Sequence, residues 1–552
     1  MFEKNESTKL TKYIKWLVFI FSLLLIGIFI VRDMIFDAPE GAIKVWDESQ
    51  LVRVDTNHYQ LGNNWLRKAE KGNWESYIEG DANARGNAIG ILHQALIQKQ
   101  ETAFIAQIDE QIPSWFFKRI LLLSIGWFNR DLDENIPLEF RQEIYGLSSY
   151  FSANYDYIGP KYNRVINYHA AHDIGHAAQN MHLVACTSVG AWQFDDSTSM
   201  MLSGRNFDFY FGDEFAKDKI IQMTNPEKGF KYISVTWGGF CGVVSGLNEK
   251  GLSVTLNAAK SGIPDGSGTP VSIISREILQ YASTVAEAEQ IASKYKSFVS
   301  ELFTISSLED QEMVVLEKTP DTLGVYRPKM DQLIVTNHFQ SQELADSELN
   351  LEHLNESESG ERFERTQELV AKHGVNSPLA VAKILRDQLG VGDENIGVGN
   401  PETINQLLAH HAVVMDNVNL KIWVSNYPYQ INSMEAYDLN DFDEWGHSPQ
   451  FPITDKMKDI AADPFFESSN HVDFEAFKVL KLKVMAANKS GEVMEAEALT
   501  RFESLNPNYY ETHRLLGIYY QTQDDKDLAL SHYRKALTKK IAYLSDSIFI
   551  VN

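Results

Sequence analysis

Cys186, one of only two cysteines in 552 residues, lies in the segment HLVACTSVGAW between an apolar run and a Thr-Ser-Val-Gly turn. Most free cysteines are buried and inert, and a reactive one needs cationic or hydrogen-bonding groups that stabilise its thiolate. Polar residues of the kinds that acyl transfer requires follow it along the chain. They are Arg205 and Asp208 in SGRNFDF, Asn257 in LNEKGLSVTLNAA and Asn337 in IVTNHF. This series predicts a cysteine-dependent acyl-transfer site.

The segment GERFERT adds two arginines, Arg362 and Arg365, and the sequence does not separate them as the last member of the site. The second cysteine, Cys241 in GGFCGVV, is predicted to be a small buried residue of a strand. Two cysteines do not make a disulfide framework. The role of Cys186 must therefore be judged from the residues around it.

Five blocks of the sequence occur in a recognisable order: CTSVG, GRNFDF, GLNEKGLSVTLNA, VTNHF and RFER. Together they resemble the N-terminal-nucleophile hydrolases of the choloylglycine hydrolase type, over about residues 182–445. Within that group they are most similar to acid ceramidase, N-acylethanolamine acid amidase and the penicillin acyltransferases, whose donor is an acyl-CoA and whose acceptor is 6-aminopenicillanic acid. The resemblance implies an α+β fold with four layers in the order αββα.

The resemblance also implies that the chain is an inactive precursor that cuts itself between Ala185 and Cys186. The thiol attacks the preceding carbonyl, the acyl group moves from nitrogen to sulfur, and water releases the ester. The new chain end then carries both the thiol and an α-amine. Because such an amine has a pKa near 8, it can take and return a proton and replace a separate histidine base.

Roles for the partners follow from the same resemblance. Arg205 lies beside the thiol and favours the thiolate. Asp208 accepts a hydrogen bond from the Cys186 α-amine. Asn257 donates its side-chain N–H to the developing oxyanion, a contribution of about 3 kcal/mol. Asn337 completes the hydrogen-bond ring.

Three features bear on how closely the chain follows the family pattern. Arg362 corresponds best to the family's late arginine, with Arg365 as the alternative. The interval from Cys186 to Arg205 is a few residues longer than the typical one, which predicts an insertion around QFDDSTS. His338 is compatible with the acyltransferase side of the group.

The elements that must position these residues change along the chain. Residues 40–180 are predicted to be mostly helical, and IPSWFFKRILLLSIGWF is predicted to be a buried core helix, with a membrane-surface helix as the alternative. From Cys186 onward, β-rich runs alternate with Gly-containing turns, which predicts strands and hairpins separated by helices.

The C-terminal part, from about Asp473, is predicted to be helical again. It reproduces the spacing of a tetratricopeptide repeat, and a degenerate copy precedes it. The positions concerned are Leu516, Gly517, Tyr520, Ala529, Tyr533 and Ala536, preceded by Ala498, Phe502 and Pro507. A plain helical hairpin is the alternative.

The run WLVFIFSLLLIGIFIV is uncharged and is flanked by Lys15 and Arg32. Its length and the lysines before it predict an uncleaved signal anchor with the N-terminus in the cytoplasm. The expected protein is therefore a single-pass membrane protein with an extracytoplasmic catalytic domain, periplasmic if bacterial. A cleaved signal peptide is the alternative, although no clear cleavage site follows the run.

The predicted organisation has five parts. They are a cytoplasmic N-terminus (1–15), a transmembrane signal anchor (16–35), a helical pro-segment (36–185), the N-terminal-nucleophile hydrolase domain (186–445), and a linker with tetratricopeptide-like repeats (446–552).

The net charge and the histidines bear on whether the protein binds nucleic acid or metal ions. The net charge of −25 argues against binding to nucleic acid, which requires a basic patch. His169, His172 and His176 share one predicted helix face, but they lack an HExxH motif and are not predicted to bind metal. We expect no metal and no cofactor.

These observations predict a membrane-anchored, self-activating cysteine amidohydrolase that cleaves a linear amide bond in an N-acyl lipid or a related acylated amine. The first alternative is an acyltransferase that moves an acyl group from a thioester donor to an amine. The second is a non-catalytic adaptor that binds a protein partner through its C-terminal repeats.

Overall fold

Two β-sheets that pack face to face form the centre of the protein, in a computed structural model that describes residues 34–43, 48–112, 114–170, 173, 184–209, 212–260, 262, 266–446 and 451–551. Helices cover the outer faces of both sheets. This arrangement confirms the predicted α+β fold with αββα layers.

The larger sheet has eleven strands and the smaller sheet has six, numbered here in chain order. In spatial order the larger sheet contains β1 (Leu51–Asp55), β2 (His58–Leu61), β3 (Asn64–Lys68), β4 (Trp74–Gly80), β7 (Ile220–Pro226), β8 (Tyr232–Thr236), β9 (Ser245–Asn248), β10 (Leu252–Ala258), β11 (Glu301–Ser307), β12 (Glu312–Lys318) and β13 (Leu323–Tyr326). The smaller sheet contains β14 (Gln332–Val335), β5 (Val184–Phe194), β6 (Ser199–Phe209), β15 (His411–Asp416), β16 (Lys421–Ser425) and β17 (Met434–Asp438). Neighbouring strands are antiparallel, apart from the parallel pair β4 and β7.

The helices fall into three groups. Those before the smaller sheet are α1 (Ala82–Gln111), α2 (Trp115–Phe128), α3 (Leu138–Ser148) and α4 (Lys161–His169). Those between β6 and residue 446 are α5 (Asp213–Lys217), α6 (Val271–Tyr281), α7 (Val285–Lys294), α8 (Glu348–Glu356), α9 (Ser359–His373), α10 (Pro378–Leu385) and α11 (Phe442–Gly446). Those at the C-terminus are α12 (Ser469–Ser490), α13 (Ala496–Leu505), α14 (Tyr510–Thr522), α15 (Lys526–Ala536) and α16 (Leu544–Val551).

Apolar side chains from the two sheets meet in a shared core. Ile221 and Val235 of the larger sheet pack in one cluster with Val413 and Val424 of the smaller sheet. Successive side chains of a strand point to opposite faces, so the other face of each sheet needs its own cover. Helices α6 and α7 pack on the larger sheet, and α10 packs on the smaller one.

The N-terminal segment contains the predicted helices, and it also supplies four strands to the larger sheet. Strand β4 pairs with β7 in parallel, from Trp74 opposite Ile220 to Gly80 opposite Pro226. Buried ion pairs reinforce this attachment, because Glu143 of α3 contacts both Arg85 of α1 and Arg276 of α6. Residues on both sides of Cys186 therefore build the same sheet.

Helix α2 differs from its predicted core position. None of its residues is buried, and Trp115, Phe116 and Phe117 are each more than 60% exposed. The prediction of a buried core helix is therefore wrong. Composition indicated burial here, but neighbouring elements do not cover the helix.

The C-terminal helices confirm the predicted all-α region. Helices α14 and α15 approach closely at Gly517, where a Cβ atom would lie 2.4 Å from the Tyr533 ring. Glycine at this position therefore permits the packing. The assignment of these helices as tetratricopeptide repeats stays a prediction.

The prediction of a single-pass membrane protein with an extracytoplasmic catalytic domain is contradicted. Across the portion of the chain that the structure describes, every helix is too short or too polar to cross a bilayer. Residues 1–33, which include the apolar run behind that prediction, lie outside the described residues.

Candidate active site

The β5–β6 hairpin places Cys186 and Arg205 on neighbouring strands. Its register sets Cys186 opposite Phe207 and Ser188 opposite Arg205, so these four side chains share one face. The hairpin turns within the QFDDSTS segment, where the Asp195 side chain accepts from the backbone N–H groups of residues 197 and 198. The local turn thereby fixes the register that the site requires.

The Arg205 side chain is fully buried against the thiol. Its Nη2 donates to Cys186 Sγ at 3.3 Å and also contacts the Leu256 carbonyl oxygen, while Nη1 donates to Ser245 Oγ at 3.2 Å. The guanidinium also stacks over the Phe207 ring at 4.1 Å. These contacts hold a positive charge beside the sulfur, where the sequence predicted it.

Burial nevertheless keeps the Cys186 thiol protonated in the uncut chain. The side chain is completely inaccessible, and this desolvation raises its pKa, although the nearby Arg205 charge acts in the opposite direction. The thiol therefore needs a base before it can act as a nucleophile at neutral pH.

The backbone of Cys186 is held by Asn337 and Arg362. Cys186 N donates to Asn337 Oδ1 at 2.9 Å, and Arg362 Nη2 donates to the same oxygen at 2.7 Å. Arg362 Nη1 donates to the Cys186 carbonyl oxygen at 2.6 Å and to Thr187 Oγ1 at 3.0 Å. Both residues therefore surround the backbone of Cys186 with hydrogen bonds.

The two candidate arginines of α9 have different surroundings. Arg362 is fully buried and contacts Cys186, whereas Arg365 pairs with Asp387, Asp393 and Glu368. Arg362 is therefore the arginine of α9 that lies beside Cys186.

Asp208 lies across from Ala185 in the hairpin register. It is fully buried, and neither carboxylate oxygen has a hydrogen-bond partner among the described residues. Desolvation raises its pKa to about 7, although Arg362 and Arg205 act in the opposite direction. A buried carboxyl without a partner is costly, so the uncut chain leaves this group ready to accept a donor.

Asn257 is present at the site, but its side chain is already engaged. Its Nδ2 donates to the carbonyl oxygens of Val335 and Thr336, at 3.2 and 2.9 Å, and its Oδ1 accepts from Ser188 Oγ at 2.9 Å. An oxyanion role would therefore require one of these N–H bonds to change its acceptor.

Sequence reasoning missed a buried hydrogen-bonded series behind Arg205. Ser245 Oγ lies 3.0 Å from His411 Nε2, and His411 Nδ1 lies 2.9 Å from His410 Nδ1. Arginine can only donate, so Ser245 accepts from Arg205 and can direct its own proton toward His411. Adjacent histidines at the start of a buried strand, in AHHAVV, are the signal that could have revealed this series.

Glu301 is a second residue that the sequence analysis missed. It begins β11 opposite Ala258 and is fully buried, and this desolvation raises the pKa of its carboxyl well above the usual value. A glutamate inside the strand-forming run SELFTIS was the available signal.

The remaining candidates have structural surroundings. His169 Nε2 accepts from Cys241 N at 2.8 Å, its Nδ1 lies 2.8 Å from the Val165 carbonyl oxygen, and its ring stacks on Phe240. Cys241 is buried, as expected, but the prediction that it belongs to a strand is wrong, because it lies in the connection between β8 and β9. His172 and His176 lie outside the described residues.

An apolar cavity of about 50 Å³ lies beside the cluster that contains Cys186. Aromatic side chains from both sides of the cleavage position line it, among them Phe104, Phe209, Phe215, Trp237 and Phe240. Such a lining suits an apolar group rather than a charged one.

Comparison with known proteins identifies the region that carries this site. The family model for acyl-coenzyme A:6-aminopenicillanic acid acyl-transferase matches residues 194–404, which begin downstream of Cys186 and include the other predicted site residues. An uncharacterized protein of Archaeoglobus fulgidus is 24% identical over 308 residues, which cover 49% of this chain and 50% of that protein. The chain thus spans about half the length of this relative.

Three solved structures show weaker similarity. An N-acylethanolamine-hydrolyzing acid amidase ortholog from Caenorhabditis elegans is 18% identical, with 42% of this chain and 93% of that chain covered and a TM-score of 0.31. A cysteine-to-alanine mutant of the conjugated bile acid hydrolase from Clostridium perfringens is 13% identical, with coverages of 49% and 96% and a TM-score of 0.30. An arginine-to-leucine variant of that hydrolase is 12% identical, with coverages of 48% and 87% and a TM-score of 0.25.

The match of residues 194–404 to the acyl-coenzyme A:6-aminopenicillanic acid acyl-transferase family confirms the predicted resemblance to the penicillin acyltransferase group.

Proposed function

We propose that the protein is a self-activating cysteine amidohydrolase that cleaves the linear amide bond of an acylated amine through an acyl-enzyme on Cys186. The observation that carries this proposal is the set of contacts around the thiol and the backbone of Cys186. Arg205 contacts the thiol of Cys186, while Asn337 and Arg362 hold its backbone. A merely structural cysteine has no need for a buried arginine at its sulfur.

Activation would begin at the Ala185–Cys186 bond, within strand β5. The Cys186 sulfur attacks the Ala185 carbonyl carbon, the C–N bond breaks, and a thioester forms while the nitrogen becomes a free α-amine. Water then hydrolyses the thioester, which leaves a carboxylate on Ala185 and restores the thiol. The unpartnered Asp208 carboxylate lies opposite Ala185 in the register and would accept a hydrogen bond from the new amine.

Turnover would use the α-amine as the base that the buried thiol lacks. The amine takes the thiol proton, the thiolate attacks the substrate carbonyl, and the amine returns the proton to the leaving nitrogen. Water deprotonated by the same amine then resolves the thioester and releases the acid. The Asn257 amide is the proposed donor to the oxyanion once one of its N–H bonds leaves a backbone carbonyl.

The cavity beside the site supports an apolar acyl group on the substrate. Its wall combines Phe104 of α1 with Phe215 and Trp237 of the hydrolase region, so the pocket is complete only when both segments are present. An aromatic wall of this kind favours apolar chains over charged ones.

The decisive experiment compares the intact masses of the purified wild type and the Cys186→Ala variant. The wild type should yield fragments of about 21 and about 42 kDa, in proportion to the 62.7 kDa chain, and N-terminal sequencing of the larger fragment should begin at Cys186. The variant should stay whole. A wild type that is active while uncut would contradict the proposal.

Acyl transfer is the second candidate, and the match of residues 194–404 to an acyl-transferase family favours it. The same acyl-enzyme serves both reactions, because either water or an amine can attack the thioester. Product analysis of a thioester donor with and without an added amine distinguishes them. Formation of a new amide at the expense of free acid would identify a transferase.

A further inference from the structure

Two histidines and a glutamate meet in the C-terminal helical region, away from the proposed active site. Glu503 of α13, His513 of α14 and His532 of α15 each offer one ligand atom, and these atoms lie within 4.8 Å of one another. Both histidines are buried, with exposed fractions of 3% and 6%.

The hydrogen bonding of His513 leaves a lone pair facing this cluster. Its Nε2 lies 2.9 Å from the Pro507 carbonyl oxygen, which can only accept, so Nε2 carries the proton and Nδ1 does not. Nδ1 is buried without a hydrogen-bond partner among the described residues, and it lies 3.8 Å from a carboxylate oxygen of Glu503. Two acceptors that face each other call for a cation between them.

His532 completes the cluster with a second buried nitrogen. Its Nδ1 also has no hydrogen-bond partner in the part of the chain that the structure describes. Its ring is stacked on Tyr520 at 5.3 Å and on His513 at 5.9 Å, so its orientation is fixed by packing.

We propose that Glu503, His513 and His532 bind a divalent transition-metal ion of the zinc type. Two neutral imidazole nitrogens and one carboxylate form a common zinc ligand set, with water in the fourth position. Bonds of about 2 Å place the ligand atoms of a tetrahedral site roughly 3.3 Å apart, so small side-chain movements close this cluster around the ion. The Nε2–H bond of His513 to a backbone carbonyl is the usual outer-shell support for a metal-bound histidine.

Lys535 provides a direct way to test the site. Its ammonium donates to Glu503 at 2.6 Å, to the same carboxylate oxygen that faces His513. The ammonium therefore competes with a metal ion for the carboxylate. Removal of this charge should strengthen metal binding, whereas removal of a ligand should weaken it.

The test measures Zn²⁺ binding to the full-length, chelator-treated protein by equilibrium dialysis and calorimetry. We expect one ion per chain in the wild type, at least tenfold weaker binding in His513→Gln and His532→Gln, and tighter binding in Lys535→Met. A misfolded protein cannot produce the last result. His471→Gln is the matched control, because it removes a histidine beside a glutamate from the same helical region and should leave binding unchanged.

A second readout is the melting temperature with and without Zn²⁺. The ion should raise it in the wild type and in Lys535→Met, and it should have no effect in His513→Gln/His532→Gln. The same measurement in Cys186→Ala excludes binding by the thiol. Absence of stoichiometric zinc in the wild type, or binding that survives in the double variant, would overturn the proposal.

Discussion

Arg362 Nη1 donates to the backbone carbonyl oxygen of Cys186 at 2.6 Å, across 176 positions of sequence. A lysine cannot reproduce the forked contacts that this guanidinium makes. We therefore expect Arg362→Lys to slow both self-cleavage and amide hydrolysis roughly tenfold to hundredfold, the effect of losing about 1.5–3 kcal/mol from hydrogen bonds to a charged group.

Arg365→Lys is the control for this prediction, since Arg365 lies on the same helix but pairs with Asp387, Asp393 and Glu368. It should keep wild-type cleavage and activity. Gel mobility over time measures self-cleavage in both variants, and the initial rate measures amide hydrolysis. Equal losses of cleavage and activity in the two variants would refute the assignment of Arg362.

Asn337 is expected to act on the residue that is cut. Its Oδ1 accepts from the Cys186 N–H and from Arg362, and its Nδ2 donates to the Ala258 carbonyl at 2.8 Å. Asn337→Asp keeps an Oδ1 acceptor and removes the Nδ2 donor, whereas Asn337→Leu removes both. We predict slower cleavage in the first variant and almost none in the second. Normal cleavage in Asn337→Leu would show that this contact does not assist the cut.

Asp208 gives the uncut chain a specific dependence on pH. Burial raises its pKa to about 7, above the value of about 3.9 for an unfolded aspartate. The folded chain thus binds more protons than the unfolded chain between these values, so ionisation of Asp208 reduces stability as the pH rises from about 4 to about 7.

The melting temperature of the uncleavable Cys186→Ala chain measures this effect. We expect the melting temperature of Cys186→Ala to fall more steeply over that window than that of Cys186→Ala/Asp208→Asn. The corresponding difference in unfolding free energy is on the order of a few kcal/mol. If the melting temperatures of the two chains depend on pH in the same way, the Asp208 carboxyl does not have a raised pKa.

The two fragments produced by the proposed cleavage should stay together without a disulfide. Strand β4 pairs with β7 along its whole length, and Glu143 bridges Arg85 and Arg276 in the interior. Size-exclusion chromatography of the cut protein should therefore give a single peak that contains both fragments.

Glu143→Gln should weaken this association by about 3–5 kcal/mol, because it removes the buried carboxylate that Arg276 and Arg85 share, and Arg85 keeps only Glu139. Glu70→Gln is the surface control, since it removes only the exposed pair with Lys456 and should leave the association unchanged. Fragments that separate in the wild type would contradict the shared sheet.

The sequence was informative wherever local pattern decides structure. Alternating apolar residues and glycine turns predicted the strands around Cys186, and motif order placed Arg205, Asp208 and Asn337 near that residue, where the structure also has them. Arg362 and Arg365 could not be separated, because residues three apart lie on the same side of a helix and the sequence does not show the partners of either.

Other features depend on contacts between distant parts of the chain. The pairing of Trp74 with Ile220 has no local signal, so the four N-terminal strands were not predicted to join the hydrolase sheet. Trp115 and its neighbours on α2 were expected to be buried because of their composition, yet exposure depends on whether another element covers them. The His410–His411 series was hidden for a similar reason, since its meaning depends on Ser245 across the two sheets.

Residues 184 and 185 are paired with Phe209 and Asp208 in the same ladder that continues through Cys186. For the proposed self-cleavage, this continuity means that breaking the peptide bond does not by itself open the entrance to the nucleophile. The new C-terminus at residue 185 stays hydrogen-bonded to strand β6 and occupies the place that the substrate amide must take. Onset of turnover should therefore lag behind the appearance of fragments, and a short peptide that mimics the departed end should act as a competitive inhibitor of the mature enzyme.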